Sequence, residues 1–211
     1  MKNSILILLL ILFFGCEPPS SNWNRAVRTG DKEKSKIIVL NEKDLETKNF
    51  QGDTPLIWAS GEGFLDLVKA LIARGVDIEG KNSVTGETAL IRASKNDQLE
   101  IAKFLIKNGA NINAEDNTGT TSLLWGCTNA HIQIINTLLK SGADLNSGSQ
   151  ISPLILASYS ANIDIVKLLI DKNIDVNAKD SNGETASMVA AKSGNNEILK
   201  ILIDNGADPQ Y

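Results

Sequence analysis

Residues 54–77 read Thr54-Pro55-Leu56-Ile57-Trp58-Ala59-Ser60-Gly61-Glu62-Gly63-Phe64-Leu65-Asp66-Leu67-Val68-Lys69-Ala70-Leu71-Ile72-Ala73-Arg74-Gly75-Val76-Asp77, and their landmarks return down the chain. The opening hydroxyl residue recurs as Thr54, Thr88, Thr121, Ser152 and Thr185, at intervals of 34, 33, 31 and 33 residues. Five places on stand the small residues Ala59, Ala93, Gly126, Ala157 and Ala190. Further on come the large apolar pairs Leu71-Ile72, Leu105-Ile106, Leu138-Leu139, Leu169-Ile170 and Leu202-Ile203. Gly75, Gly109, Gly142, Asn173 and Gly206 follow, and two residues later Asp77, Asn111, Asp144, Asp175 and Asp208. A fixed period of this length predicts stacked supersecondary units, none of which buries its apolar face alone.

Each column has a physical reason. The Thr or Ser accepts a backbone N–H at the start of a first helix, and Pro55 and Pro153 sit just inside, where a missing N–H costs nothing. The small residue lets two helices approach closely, and the large pair on the second helix fills the space between units. Gly, or Asn at 173, suits the left-handed residue that ends a helix. Gly52, Gly86, Gly119 and Gly183 then predict the turn of a projecting β-hairpin.

Thr54-Pro55-Leu56, Ser152-Pro153-Leu154, Gly109-Ala110-Asn111-Ile112-Asn113 and Gly142-Ala143-Asp144-Leu145-Asn146 resemble the signature of the ankyrin-repeat family, from about Asn49 to Tyr211. The family's usual His after the first triplet is replaced by Ile57, Ile91, Leu124, Ile155 and Met188, which can pack instead of bonding. The resemblance implies an all-α repeat solenoid of helix-turn-helix units with projecting β-hairpin loops. A step back of 33 residues finds a degenerate capping unit over 23–48: Trp23 falls under Leu56, Ala26 under Ala59, Gly30 under Gly63, Ile38-Val39 under Leu71-Ile72 and Asp44 under Asp77. With the units of 49–211, about six repeats are expected, above the roughly three that stability requires.

The start of the chain is different in kind. Met1-Lys2-Asn3-Ser4 is a short basic region and Ile5 to Phe14 an unbroken apolar run, which together match a secretory signal over 1–15. The run is shorter than the roughly 20 apolar residues of a membrane span, and Pro18 and Pro19 follow it closely. Closed by Gly15-Cys16, it resembles a relaxed lipobox of bacterial lipoproteins, in which the cysteine is diacylated on sulfur and becomes the mature N-terminus. The alternatives are a cleaved signal with an incidental cysteine and an uncleaved anchor. Lipidation at Cys16 leaves Cys127 without an intramolecular partner, so packing alone must hold the fold. Residues 16–22 form a tether of at most about 20 Å at about 3.4 Å per residue.

Composition narrows the function. The 211 residues are 42% hydrophobic and 22% charged, as in a folded domain, and the net charge of -4 gives no basis for nucleic-acid binding. That balance equally offers no electrostatic reason to sit on an anionic membrane. Cys127 and the single histidine, His131, stand four residues apart and are the one pair that suggests a nucleophile and base. Cys127 falls in a core column and no further ligand or triad member is in view, so neither catalysis nor a metal is expected. Asp180-Ser181-Asn182-Gly183-Glu184 lacks the spacing of a calcium loop, and its recurrence as Asp116-Asn117-Thr118-Gly119 and Asn49-Phe50-Gln51-Gly52 points to a turn.

The expected function is therefore binding of another protein by a monomer, without cofactor, metal or nucleic acid. In the ankyrin family the variable residue just before the small column lies on the concave binding surface; here it is Trp58, Arg92, Trp125, Leu156 and Val189. Trp and Arg are the residue types richest in binding energy, and truncation here is expected to cost binding more than stability. The alternative is that the tryptophans fill the groove between helices. The fingers are uneven, with an extra residue near Ser83-Val84-Thr85 and two fewer at 147–151. The reading is a lipoprotein scaffold of the bacterial cell envelope, on the inner or outer membrane, with its domain in the periplasm or at the surface. The alternative is an immunity-type inhibitor of a periplasmic or secreted enzyme.

Overall fold

The computed structural model of the protein describes residues 22–148 and 151–208. The leader and Cys16 lie outside these. The described residues form twelve helices in six pairs. These are α1 (Asn22–Arg28) with α2 (Lys32–Asn41), α3 (Pro55–Glu62) with α4 (Leu65–Ala73), and α5 (Ala89–Lys95) with α6 (Leu99–Lys107). They continue as α7 (Ser122–Thr128) with α8 (Ile132–Lys140), α9 (Pro153–Tyr159) with α10 (Ile163–Asp171), and α11 (Ala186–Lys192) with α12 (Asn196–Asp204). The odd-numbered inner helices stack closely from α3 to α11, and the even-numbered helices form a looser second layer. The result is an all-α repeat solenoid, the architecture that the resemblance implies.

The capping column works in every full unit. Thr54, Thr88, Thr121, Ser152 and Thr185 accept from the backbone N–H of Ile57, Ile91, Leu124, Leu154 and Met188, each at 3.3 Å. Ala59, Ala93, Ala157 and Ala190 are fully buried, as a column that sets helix approach must be. Of each large pair the first member, Leu71, Leu105, Leu138, Leu169 or Leu202, is fully enclosed. The second packs against the core from α4 to α10 but stands exposed as Ile203, at the open end of the stack. The Asp and Asn column makes Asx turns, and the residue two further on reaches into the next unit. Glu46 accepts from the N–H of Asp77, Glu79 from Asn111, Asn113 from Asp144 and Asn177 from Asp208, at 2.8–3.0 Å.

Two departures from the expected pattern have local causes. The fingers are turns rather than β-hairpins: among the described residues the only bridge is Glu115 with Thr121. Asn49, Asp116 and Asp180 close them by accepting two backbone N–H groups each, which leaves one main-chain rung per finger. In the first unit Val39 is fully buried and Ile38 only partly so, the reverse of the other pairs, because α2 runs one residue out of register. Here α1 also stands farther from α3 than the other inner helices stand from one another. Trp23 and Trp58, with ring centroids 6.1 Å apart, fill that space.

Each unit also needs a left-handed residue between its two helices, a position without a matching glycine column in the sequence. Gly30, Gly63 and Gly194 serve in three units, but Asp97, Ala130 and Ala161 adopt φ of 56°, 59° and 53° in the others. An alanine there carries about 1–2 kcal/mol of backbone strain, partly offset by the smaller entropy that alanine loses on folding. Ala130→Gly and Ala161→Gly are each expected to raise stability by about 0.5–1 kcal/mol, read as an increased denaturant midpoint; a lower midpoint would contradict the strain.

Candidate functional site

The five residues of the variable column meet different fates. Trp58 is 5% exposed and Val189 1%, so both belong to the core and are corrected as binding residues. Trp58 is held between Trp23 and Phe64, the latter edge-on at 5.4 Å, and this aromatic cluster seals the junction with the first unit. A tryptophan so enclosed has no face left for a partner.

Arg92 is a strut between units. Its Nη2 lies 2.9 Å from Asp53 Oδ1 and its Nε 2.5 Å from Glu87 Oε2, and both carboxylates are almost fully buried. Lys95 completes the set at 2.7 Å from Glu87 Oε1, while Asn82 donates to Asp53 at 2.6 Å. The acids are thus covered and the cations lie outward. Lys95 also stands 3.9 Å over the ring of Trp125, whose Nε1 donates to Asp116 at 3.0 Å. Burial pushes the Asp116 carboxyl up, but hydrogen bonds from Thr118, Thr120 and Trp125 outweigh it and hold the group below its ordinary range. From Asp53 to Asp116 the polar chain is continuous across three units.

Beyond Trp125 the face is open. Trp125 and Leu156 are half-buried, on adjacent inner helices. Tyr159, one turn past Leu156, is 55% exposed, and its hydroxyl donates to Glu184 at 2.9 Å. Lys192 pairs with the same carboxylate. Those two hydrogen bonds, from Lys192 first and Tyr159 second, hold Glu184 below its usual range. Tyr159 and Lys192 occupy the position of Lys95 in their own units. That column, three residues after the variable one, was not read from the sequence, although the helical period that joins i to i+3 would have revealed it. Trp125, Leu156 and Tyr159 therefore share a surface flanked by Lys95 and Lys192.

The Cys/His pair has no chemistry to offer. Cys127 is fully buried and burial pushes its thiol up to about 12. His131 stands at the N-terminal boundary of α8 with its ring turned to the preceding unit, Nε2 3.1 Å from the carbonyl of Lys95 and Nδ1 3.7 Å from Asp97. Among the described residues no group of three or more His, Cys, Asp or Glu is placed to hold a metal. The finger that superficially resembles a calcium loop spends the Asp180 oxygen on its own backbone.

A solenoid that keeps its buried residues between units and leaves such a face to solvent defines a binding module. The family described as ankyrin repeats, in three copies, matches residues 23–116, 81–149 and 146–211, and the chain belongs to the ankyrin-repeat family. Two proteins of Rickettsia felis, both described as ankyrin repeat proteins, are 43% identical to it over 44 residues. The match spans 21% of this chain and 70% and 67% of theirs. Members of this family are protein-interaction scaffolds, and the fold of this chain serves that role. The family match begins at Trp23, so the degenerate first unit is included.

Two substitutions separate core from surface. Trp58→Ala is expected to lower stability by about 3–5 kcal/mol. Arg92→Ala should cost about 2–4 kcal/mol by stranding Asp53 and Glu87. Chemical denaturation measures both, and a loss under about 1 kcal/mol would return either residue to the surface.

Proposed function

We propose that the protein is a lipid-anchored ankyrin-repeat scaffold of the bacterial cell envelope, held by Cys16 and binding a partner protein through the open half of its concave face. The anchor rests on the apolar run that ends at Gly15-Cys16. The binding half rests on one observation above all: Tyr159 is exposed beside half-buried Trp125 and Leu156, whereas Trp58 and Val189 of the same variable column are enclosed. Aromatic anchors that combine apolar area with a polar tip carry most binding energy at interfaces. Lys95 and Lys192 on either side are each held by a carboxylate, Glu87 and Glu184, so the face favours a partner that presents an apolar or aromatic side chain rimmed by polar groups.

The protein acts as a monomer in this reading, because the open face is reserved for a different chain. The scaffold is preferred over an immunity-type inhibitor. A strongly acidic face would favour inhibition, and here Asp53 and Glu87 are buried beneath Arg92 and Lys95.

Two measurements test the two halves. Cys16→Ala should leave the protein unprocessed or soluble in detergent partitioning, and normal attachment of that variant contradicts the anchor. Tyr159→Ala should weaken capture of the native partner by about 2 kcal/mol or more, the scale of a binding hot spot, with little change in melting temperature. Undiminished capture would move the site elsewhere on the stack.

A further inference from the structure

The charge of this chain is polarised along the stack. Residues 22–48 carry seven Lys and Arg against five Asp and Glu, whereas 49–211 carry thirteen against nineteen, so a first unit of +2 precedes a body of -6. An overall charge of -4 conceals this.

The cations and exposed apolar groups of the first unit meet at its outward end. Lys32 pairs with Glu62 of the second unit and Lys36 lies 4.7 Å over the Phe64 ring, so that side of α2 faces the stack. The opposite arc, by helical period, carries Lys34, Ile37, Ile38 and Asn41, with Leu40 beside them. Ile37 is 62% exposed and Leu40 47%, a pair of large apolar side chains turned to solvent. Between α1 and α2 lies an open groove of about 440 Å³, lined by Asn22, Arg25, Lys34, Ile38 and Glu42 among others. Arg25 and Lys34 have no ion-pair partner among the described residues. Glu42 Oε1 is buried there without a hydrogen-bond donor.

We propose that this end of the solenoid is a docking face for an anionic phospholipid surface. The proposal rests on the reading of Cys16 as the lipid anchor, because the tether enters the domain at Asn22, which itself lines the groove. Phosphate is the complement of Arg25 and Lys34, a headgroup hydroxyl supplies the donor that Glu42 lacks, and Ile37 and Leu40 enter the acyl boundary. The acidic body is repelled by the same surface, so the stack stands away from the bilayer with its later units outermost. The open face at Trp125, Leu156 and Tyr159 is thereby carried clear of the lipid.

The test uses the full chain with vesicles of phosphatidylcholine alone or with phosphatidylglycerol, bearing an environment-sensitive dye at Ile37→Cys or, as control, at Asp204→Cys. Cys127 is buried and does not take the dye. Flotation reports the anchor, and quenching by nitroxide lipid reports docking. The dye at 37 should be quenched in phosphatidylglycerol vesicles and the dye at 204 should not. Arg25→Ala and Lys34→Ala should each shift the docked fraction about fivefold, the worth of one cation near an anionic surface. Flotation with equal quenching at both positions overturns the docking face and leaves the anchor intact. Failure to float overturns the anchor. In that case quenching at 37 by added phosphatidylglycerol vesicles at low salt still upholds the docking face, and its absence overturns that as well. Quenching in both variants equal to the parent shows that the cations are not the recognising groups and also overturns the proposal.

Discussion

No helix pair in this chain can bury its own apolar face. Leu71, Leu105, Leu138, Leu169 and Leu202 are fully enclosed only because a neighbouring unit covers them, and this shared burial is the constraint from which the rest follows. It forces small residues where inner helices touch, left-handed residues where the chain reverses, and side chains that reach from one unit to the next. Glu46, Glu79, Asn113 and Asn177 perform that last task by holding the main chain of the following unit. Stability in such an array is a sum of neighbour contacts, so a weak unit is tolerated when its neighbours are sound.

The same constraint divides the inner face. Across the first three units the row is used to hold the stack together, by Trp58 among aromatic rings at the junction with the first unit and by Arg92 over two buried acids between the second and third. A buried carboxylate is costly unless paired, so those cations are committed. From Leu156 onward the row has no buried acid to satisfy. Leu156 lies there half-buried against the core, and Tyr159 is exposed with its hydroxyl bonded to Glu184. In the proposed reading, binding and stability therefore occupy different parts of one column.

Much of the fold was legible in sequence because it depends on local rules repeated at a fixed period. The caps at Thr54, Thr88, Thr121, Ser152 and Thr185 and the left-handed Asn173 follow from chemistry within a few residues. What was not legible depends on neighbours. Ala130 and Ala161 carry no sign of positive φ, since the requirement comes from the turn between helices rather than from the residue. Trp58 and Trp125 hold the same position in the repeat, yet one packs on Trp23 and the other bonds Asp116 at the surface. Only the side chain opposite decides between these, and in Trp58 it is contributed by the atypical first unit. Tyr159 belongs to a second column three places on along the same helix face, where no shared residue type marks the position in the sequence.

The tryptophans offer the most direct measurement of this division. Of the three, Trp23 and Trp58 are enclosed and Trp125 is half-open beneath Lys95. Acrylamide quenching of the native protein should resolve one accessible component, and Trp125→Phe should remove it while leaving the protected emission unchanged. An accessible component that survives in Trp125→Phe would mean that Trp23 or Trp58 faces solvent, and would contradict the assignment of the first part of the row to the core.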